Sequence, residues 1–112
     1  MAVNLPNVEL AIVEQAKVVD YLLALDHPEG ASKAEFFTQF GFSASQWEAL
    51  ANALIDHARA HPVASTSQSK FGVKYRIDGP VSCPDGRSPS IRAVWIIDAG
   101  SEVPRLVTAH PL

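Results

Sequence analysis

The spacing of apolar residues along the chain changes once, close to Pro62. Before this proline, apolar residues recur every three or four positions, a spacing that places them on one face of a helix. This pattern predicts three helices, over residues 14–24, 32–40 and 43–60. It is clearest in the third helix, where the apolar face carries Trp47, Leu50, Leu54 and Ala58.

Capping residues set the expected limits of these helices. Ser32 with Glu35, and Ser43 with Gln46, follow the Ser-x-x-Glu/Gln pattern of a capping box, which predicts that both serines are N-caps. Gly41 is expected to end the second helix, because a glycine readily adopts the left-handed backbone that often follows a helix.

Beyond Pro62 the pattern alternates with a period of two, which indicates strands. Segment 73–78 alternates apolar and charged residues, segment 91–97 carries apolar residues on both faces, and 105–110 is a final strand. The polar segment 65–69 is interpreted as a strand edge or hairpin flank, and Pro-Asp-Gly-Arg at 84–87 predicts a turn. The predicted fold class is α+β, with three N-terminal helices packed on a C-terminal antiparallel sheet of three to four strands.

Length and composition fit one folded domain. A chain of 112 residues, 47% hydrophobic and 19% charged, is expected to form a single domain over 1–112, with a helical half at about 1–61 and a sheet half at about 62–112. The single cysteine, Cys83, excludes an internal disulfide, which suits a reducing cytoplasm. No targeting signal and no apolar stretch of ~20 residues occurs, so we expect a cytoplasmic protein without a membrane partner.

The charge of the chain counts against a nucleic-acid partner but does not exclude one. The net charge is −3, whereas phosphate binding favours an excess of lysine and arginine. The charges are unevenly distributed, with three basic and eight acidic residues in 1–60 but six basic and four acidic residues in 61–112. RNA therefore remains a partner to consider, with the sheet half as the basic half.

His27 and Lys33 are the first pair of candidate functional residues. His27 lies in the loop between the first two predicted helices, and Lys33 lies at the start of the second. A helix N-terminus presents unpaired N–H groups and a partial positive charge, so a lysine there would suit a phosphate. The alternative is that His27-Pro28 ends a helix and Lys33 is a solvated residue, and the local sequence alone favours this alternative.

Thr108 and His110 are the second pair. They are two residues apart on the last predicted strand, which would place them on the same side of the sheet as Leu106. A hydroxyl beside an imidazole would be able to contact a phosphate and exchange a proton during cleavage. The alternative is a polar strand end near the C-terminus, and the sequence does not decide between the two.

Other polar residues give weaker indications. His57 and His61 are four apart on the third helix, a spacing that would suit a metal, but no HExxH pattern accompanies them and a helix C-terminus also favours histidine. We therefore expect neither a metal nor another cofactor. Four arginines in the sheet half are candidates for binding a phosphate, or belong to its solvated face: Arg76, Arg87, Arg92 and Arg105.

Several segments together resemble a bacterial domain family of unknown function, in order and spacing over nearly the whole chain. They are Leu5-Pro6-Asn7, Asp20-Tyr21-Leu22-Leu23, His27-Pro28-Glu29-Gly30, Lys33-Ala34-Glu35-Phe36-Phe37, Phe40-Gly41-Phe42, Lys74-Tyr75, Gly79-Pro80, Pro84-Asp85-Gly86-Arg87, Val94-Trp95-Ile96-Ile97 and 104–111. That family is in turn similar to the barnase–EndoU–colicin–RelE group of ribonuclease toxins, which pack N-terminal helices on an antiparallel sheet and use no metal.

The resemblance implies a toxin-like, metal-independent endoribonuclease in which the 2′-hydroxyl of RNA attacks the phosphate. His27 would be the general base or acid, Lys33 the phosphate-binding cation, and Thr108 and His110 their partners from the last strand. The chain departs from the family pattern at Ala31, where a basic residue is usual, and at His110, where a tyrosine is usual. An imidazole at position 110 would retain acid–base ability.

A second hypothesis is a non-catalytic protein-interaction domain that uses the same fold. Its partner would be a small antitoxin-like or neighbouring protein, encoded beside it. The acidic net charge and the loss of a cation at Ala31 favour this hypothesis.

Overall fold

In the part of the chain that the structure describes, three helices and two short 3₁₀ turns precede the sheet. The computed structural model describes residues 3–112, so the first two residues of the predicted helical half lie outside it. The first helix, α1, is an α-helical turn at Gln15–Lys17 continued by a π-helical turn at Val18–Leu22. Helix α2 spans Ala31–Gln39, and helix α3 spans Trp47–Ala60. No helix in the described part of the chain is long and apolar enough to cross a membrane.

Four antiparallel strands form one sheet in the order β1-β2-β3-β4. They are β1 (Val63–Ser69), β2 (Gly72–Pro80), β3 (Ser90–Asp98) and β4 (Pro104–Pro111). The α+β class and the antiparallel sheet are confirmed. The polar segment 65–69, interpreted as a strand edge or hairpin flank, lies in strand β1, which brings the sheet to four strands.

The placement of the helices at the N-terminus needs a correction. Between residues 3 and 14, the only helical element described is a single 3₁₀ turn, Val8–Leu10. Other residues of this segment pack in the core or pair with the edge of the sheet. Leu5 is buried in the core, and Ile12 bridges the free edge of β4, where its N–H donates to the carbonyl of Pro104 over 2.9 Å. The segment is held in a non-helical form by these contacts.

The side-chain hydrogen bonds of both predicted capping boxes are absent, although Ser43 is the N-cap residue of the 3₁₀ turn that leads into α3. Helix α2 begins at Ala31, one residue before the predicted cap Ser32, and no side chain caps it at Gly30. Ser43 precedes a 3₁₀ turn at Ala44–Gln46, and its hydroxyl lies 3.2 Å from the hydroxyl of Ser45. The loops that enter these helices, and not the local cap sequences, determine how the helices begin.

Two turns predicted from glycine positions are confirmed. Gly41 has a φ of +102° and ends α2, and the N–H of Phe42 donates to the carbonyl of Phe37 over 3.3 Å. In the turn at 84–87, Gly86 has a φ of +89° and its N–H donates to the carbonyl of Cys83 over 3.0 Å.

The helices cover one face of the sheet and share a single apolar cluster with it. Its largest fully buried members come from α1, α2, α3, the sheet and the loop after β2, and include Leu22, Phe37, Leu50, Leu54, Ile77, Val81, Ile91 and Trp95. The inward face of the sheet can be followed across its strands, because Ile77, Ala93 and Ala109 lie side by side and all are fully buried.

A β-bulge in β4 changes which residues share a face. Trp95 lies opposite Leu106, but Val94 lies opposite Thr108, so Val107 is an extra residue in β4. Leu106 and Ala109 consequently both face the core. The expectation that Thr108 and His110 lie on the same side as Leu106 is therefore wrong, because alternation is interrupted at the bulge.

Candidate functional site

Tyr21, in the π-helical part of α1, lies at the centre of a polar cluster. Its side chain is half-buried, and its phenol oxygen is 3.3 Å from the hydroxyl oxygen of Thr108 on β4. These two residues are 87 positions apart in the sequence. The contact exists because α1 packs against β4, the strand at one end of the sheet.

Two lysines place positive charge beside the Tyr21 ring. The ammonium nitrogen of Lys17 is 5.3 Å from the ring centroid, and that of Lys33 is 5.4 Å from it. Lys17 precedes Tyr21 by four residues on the same element, whereas Lys33 comes from the first turn of α2. Both distances are in the range of a cation–π contact.

His27 lies against Tyr21 from the loop between α1 and α2. The two rings are 5.2 Å apart and meet edge to face at 81°. The Nδ1 atom of His27 accepts hydrogen bonds from the backbone N–H groups of Glu29 and Gly30, over 3.0 and 2.9 Å. His27 thereby holds the backbone that leads into α2.

Gly30 allows this loop to pack closely on α1. A Cβ at this position would overlap the carbonyl oxygen of Tyr21 and would lie 3.2 Å from its Cδ1 atom. Any larger side chain would push the start of α2 away from Tyr21. The close approach of these two elements is what brings Lys33 and His27 to the same ring.

The electrostatic balance of the cluster acts on the phenol. Burial alone would raise the pKa of Tyr21, but its hydrogen bond with Thr108 and the nearby ammonium groups of Lys33 and Lys17 outweigh it. The pKa of Tyr21 is therefore lowered from its ordinary value of 10.0. A phenol in this setting gives up its proton more readily than an exposed tyrosine.

The structure thus brings together three of the four predicted site residues, His27, Lys33 and Thr108. With Lys17 and Tyr21 they form what we call the Tyr21 cluster. Tyr21 itself was not predicted as a functional residue. The signal that would have found it is the four-residue spacing of Lys17 and Tyr21, which places them on one side of a helix.

His110, the fourth predicted residue, follows Thr108 by two positions on β4 but has other partners. It sits opposite Arg92 in the sheet, and its Nδ1 atom is 3.1 Å from the carbonyl oxygen of Pro111. Among residues 3–112, no hydrogen bond or aromatic-ring contact joins it to Tyr21, His27 or Lys33. Its charged neighbours are instead Arg92 and Asp78, and the hydrogen bonds from Arg92 lower the pKa of Asp78.

Three of the four arginines considered for phosphate binding are paired with aspartates. Arg92 binds Asp78 through two hydrogen bonds of 2.7 and 2.8 Å, and Arg105 binds Asp98 through two of 2.7 and 2.9 Å. Arg87 binds Asp85, and its guanidinium also donates to the carbonyl of Gln39. Arg76 donates to the hydroxyl of Ser67. Three of the six basic side chains in the sheet half are therefore neutralised locally.

His57 and His61 are arranged as structural residues. Each ring donates from Nε2 to a backbone carbonyl, His57 to Gly79 over 3.1 Å and His61 to Pro80 over 2.9 Å. An Nε2 atom that carries a proton cannot bind a metal. Within residues 3–112, no group of three or more His, Cys, Asp or Glu side chains is arranged to hold a metal ion.

A cavity of about 590 Å³ lies beside these histidines, between α3 and the loop after β2. Its lining is mostly apolar and includes Ala53, His57, His61, Pro80 and Cys83. Burial raises the pKa of the Cys83 thiol, so this cysteine is not activated. No residue of the Tyr21 cluster lines this cavity.

Comparison with known proteins gives structural matches, one of which is described here, and a family match. A solved structure described as a contact-dependent growth inhibition toxin–immunity protein complex from Klebsiella pneumoniae 342 contains a chain with the same fold. The TM-score is 0.73 with 11% sequence identity, over 93% of this chain and 95% of that one. No curated protein matches the chain. A family model matches residues 4–112, and the chain belongs to that family, described as "Domain of unknown function (DUF6883)".

Proposed function

We propose that the protein is a toxin-like, metal-independent endoribonuclease and that the Tyr21 cluster is its active site. The observation that carries this proposal is the convergence of a phenol, two ammonium groups, an imidazole and a hydroxyl from α1, α2, β4 and the loop before α2. The phenol and the two ammonium groups are those needed to bind a phosphodiester and to move protons around it, and the hydroxyl and the imidazole lie beside them.

The reaction assigned to this cluster is internal transesterification of RNA. The 2′-oxygen forms a bond to phosphorus while the bond from phosphorus to the 5′-oxygen breaks, leaving a 2′,3′-cyclic phosphate and a free 5′-hydroxyl. Tyr21, as the phenolate, takes the proton of the 2′-hydroxyl, and its lowered pKa supports this role. The Lys33 ammonium gives a proton to the departing 5′-oxygen, and the Lys17 ammonium faces the charge that develops on the phosphate.

The local charge of the cluster supports phosphate binding in an acidic protein. Lys17 and Lys33 place two positive charges within 5.4 Å of the Tyr21 ring centroid. The resemblance implies a basic residue at position 31, where this chain has Ala31. In our proposal Lys17 supplies the second cation that position 31 lacks.

The fold is compatible with a toxin-like function but does not establish it. The matched chain comes from a complex of a toxin with its immunity protein, and 11% identity supports likeness of fold alone. Membership of the barnase–EndoU–colicin–RelE group is therefore part of the proposal.

RNA cleavage by the purified protein, in excess EDTA, tests the proposal. We expect transfer RNA or total RNA to be cut, with cyclic phosphate ends, and an oligonucleotide lacking 2′-hydroxyls to stay intact. Tyr21→Phe removes only the phenol oxygen and should lower the rate by about 10²–10⁴-fold, the usual contribution of a general acid or base. Tyr75→Phe is the matched control, because Tyr75 lies on β2 opposite Trp95, and its rate should equal that of the wild type.

A second pair of variants tests the cations. Lys33→Ala should weaken RNA binding and reduce the slope of log K against log salt by about 0.7, the value for one phosphate contact with a single strand. Lys70→Ala, in the hairpin between β1 and β2, removes the same charge away from the cluster and should leave binding unchanged. Equal cleavage by the wild type, Tyr21→Phe and Lys33→Ala would refute the assignment of this active site.

The second candidate function is a protein-interaction domain without catalysis. It is favoured by the net charge of −3, by the eight acidic residues in 1–60, and by the complex from which the matched structure comes. Its partner would be a small protein encoded beside it. A stable complex with that protein on size-exclusion chromatography, together with no RNA cleavage by either the free protein or the complex, would favour this function over the first.

A further inference from the structure

The Nδ1 atom of His27 forms hydrogen bonds with the backbone. It accepts from two N–H groups, those of Glu29 and Gly30, and a backbone N–H can only donate. Nδ1 must therefore carry a lone pair rather than a proton. In a neutral imidazole the proton then lies on Nε2, so the hydrogen bonds determine the tautomer.

This tautomer limits what His27 can do in proton transfer. A general base needs a lone pair on the nitrogen that faces the substrate, but the remaining nitrogen, Nε2, holds the proton. A general acid needs the imidazolium, whose Nδ1–H would point at the two N–H groups that it now accepts from. Either role would require the loop before α2 to give up both hydrogen bonds.

The same hydrogen bonds connect His27 to Tyr21. They fix the backbone at Gly30, which packs directly on the carbonyl of Tyr21. The carbonyl of His27 also accepts from the N–H of Ala31, over 3.0 Å, at the first residue of α2. The His27 ring in turn meets the Tyr21 ring at 5.2 Å. His27 is thus placed to hold both the phenol and the helix that carries Lys33.

We propose that His27 is a positioning residue, with a neutral ring protonated on Nε2, and that it acts through Tyr21 and the start of α2 rather than by transferring a proton. The part that concerns cleavage rests on the proposed function, whereas the tautomer and the link to Tyr21 do not. The resemblance implied a general base or acid at this position, and the geometry points to a different role.

Nitrogen-15 NMR of the ring tests the tautomer directly. We expect Nδ1 of His27 to resonate as an unprotonated, hydrogen-bonded nitrogen and Nε2 as a protonated one. His57 and His61 provide internal references, because both donate from Nε2 to carbonyls. A spectrum with the proton on Nδ1, or with both nitrogens protonated at neutral pH, would overturn the proposal.

Two substitutions at position 27 separate positioning from proton transfer. The amide oxygen of asparagine can accept backbone N–H groups two residues on, as in an Asx turn, but the amide does not titrate. His27→Asn should therefore cleave RNA within about 10-fold of the wild type, and His27→Ala should be slower than His27→Asn. Equal losses of about 10²–10⁴-fold in both variants would show proton transfer by the imidazole and overturn the proposal.

The absorbance titration of the Tyr21 phenol gives a readout that does not depend on cleavage. Tyr75→Phe serves as the background, so that Tyr21 is the remaining tyrosine. We expect His27→Asn to keep the wild-type titration and His27→Ala to shift it upward. If no protein cleaves RNA and this pattern is found, the proposed function fails while the positioning role stands. If both variants keep the wild-type titration, the positioning role fails.

Discussion

Replacing Gly30 with alanine should separate α1 from α2 and disrupt the Tyr21 cluster. The added Cβ would overlap the carbonyl oxygen of Tyr21. An ordinary contact between a carbon and a carbonyl oxygen is about 3.3 Å, so the oxygen and the loop must move apart by about 1 Å. Both groups are backbone, so no side-chain rotation can relieve the overlap.

The overlap at Gly30 determines the loss of unfolding free energy, and the hydrogen bond between Tyr21 and Thr108 determines the change in the pKa of Tyr21. Overpacking of this kind costs about 1–3 kcal/mol of unfolding free energy. The free energy of unfolding of a domain of this size is about 5–15 kcal/mol, so the variant should still fold. Its melting temperature should fall by about 4–8 °C for each kcal/mol lost. The bond between Tyr21 and Thr108 is already 3.3 Å long, and a shift of 1 Å would break it. The pKa of Tyr21 should then rise towards its ordinary value.

Urea unfolding and an absorbance titration of tyrosine measure both effects in the same sample. Gly86→Ala is the control, because no atom lies within 4 Å of a Cβ at that position. It carries the strain of a positive φ without a steric overlap, so it should lower stability but leave the Tyr21 titration unchanged. A Gly30→Ala protein with wild-type stability and a wild-type titration would refute the reasoning.

Two further predictions concern stability. Burial lowers the pKa of His57, so the unfolded chain takes up a proton near pH 6.5 while the folded protein does not. Stability should therefore fall as the pH drops below 6.5, by at most about 1.4 kcal/mol per pH unit until the folded pKa is reached. Urea unfolding at about pH 7.5 and about pH 5.5 measures this, and an equal pH difference in His57→Gln would contradict it. Leu54→Ala should cost about 2–5 kcal/mol because Leu54 is fully buried, whereas Ala49→Gly on the exposed side of α3 should cost about 1 kcal/mol. A similar loss in the two variants would show that Leu54 does not pack as described.

Much of the secondary structure was predictable because its causes are local. The change of apolar period near Pro62 separates the helices from the strands, and alternating residues on β2 mark its buried face. Gly41 and the turn at 84–87 were predictable because few residues other than glycine adopt a positive φ readily. None of these features depends on a distant part of the chain.

The predictions were wrong where contacts with another part of the chain outweighed a local sequence preference. Ser32 has a good cap sequence, but the contact of Gly30 with Tyr21 and the hydrogen bonds to His27 start α2 one residue earlier. The bulge at Val107 could not be read from alternation, because Leu106 and Ala109 reach the core only through their pairing with β3. Packing contributes more free energy than a single cap, so packing determined where α2 begins and which residues of β4 face the core.

The amino-acid order was sufficient to mark His27, Lys33, Thr108 and His110 as polar residues worth testing. Which of them meet depended on the packing of α1 against the end of the sheet, which joins Tyr21 to a hydroxyl 87 residues away and leaves His110 beside Arg92. Helical and strand periods act over a few residues, whereas contacts between distant segments are selected by burial of the shared core. Only the tertiary structure therefore shows which residues form the Tyr21 cluster.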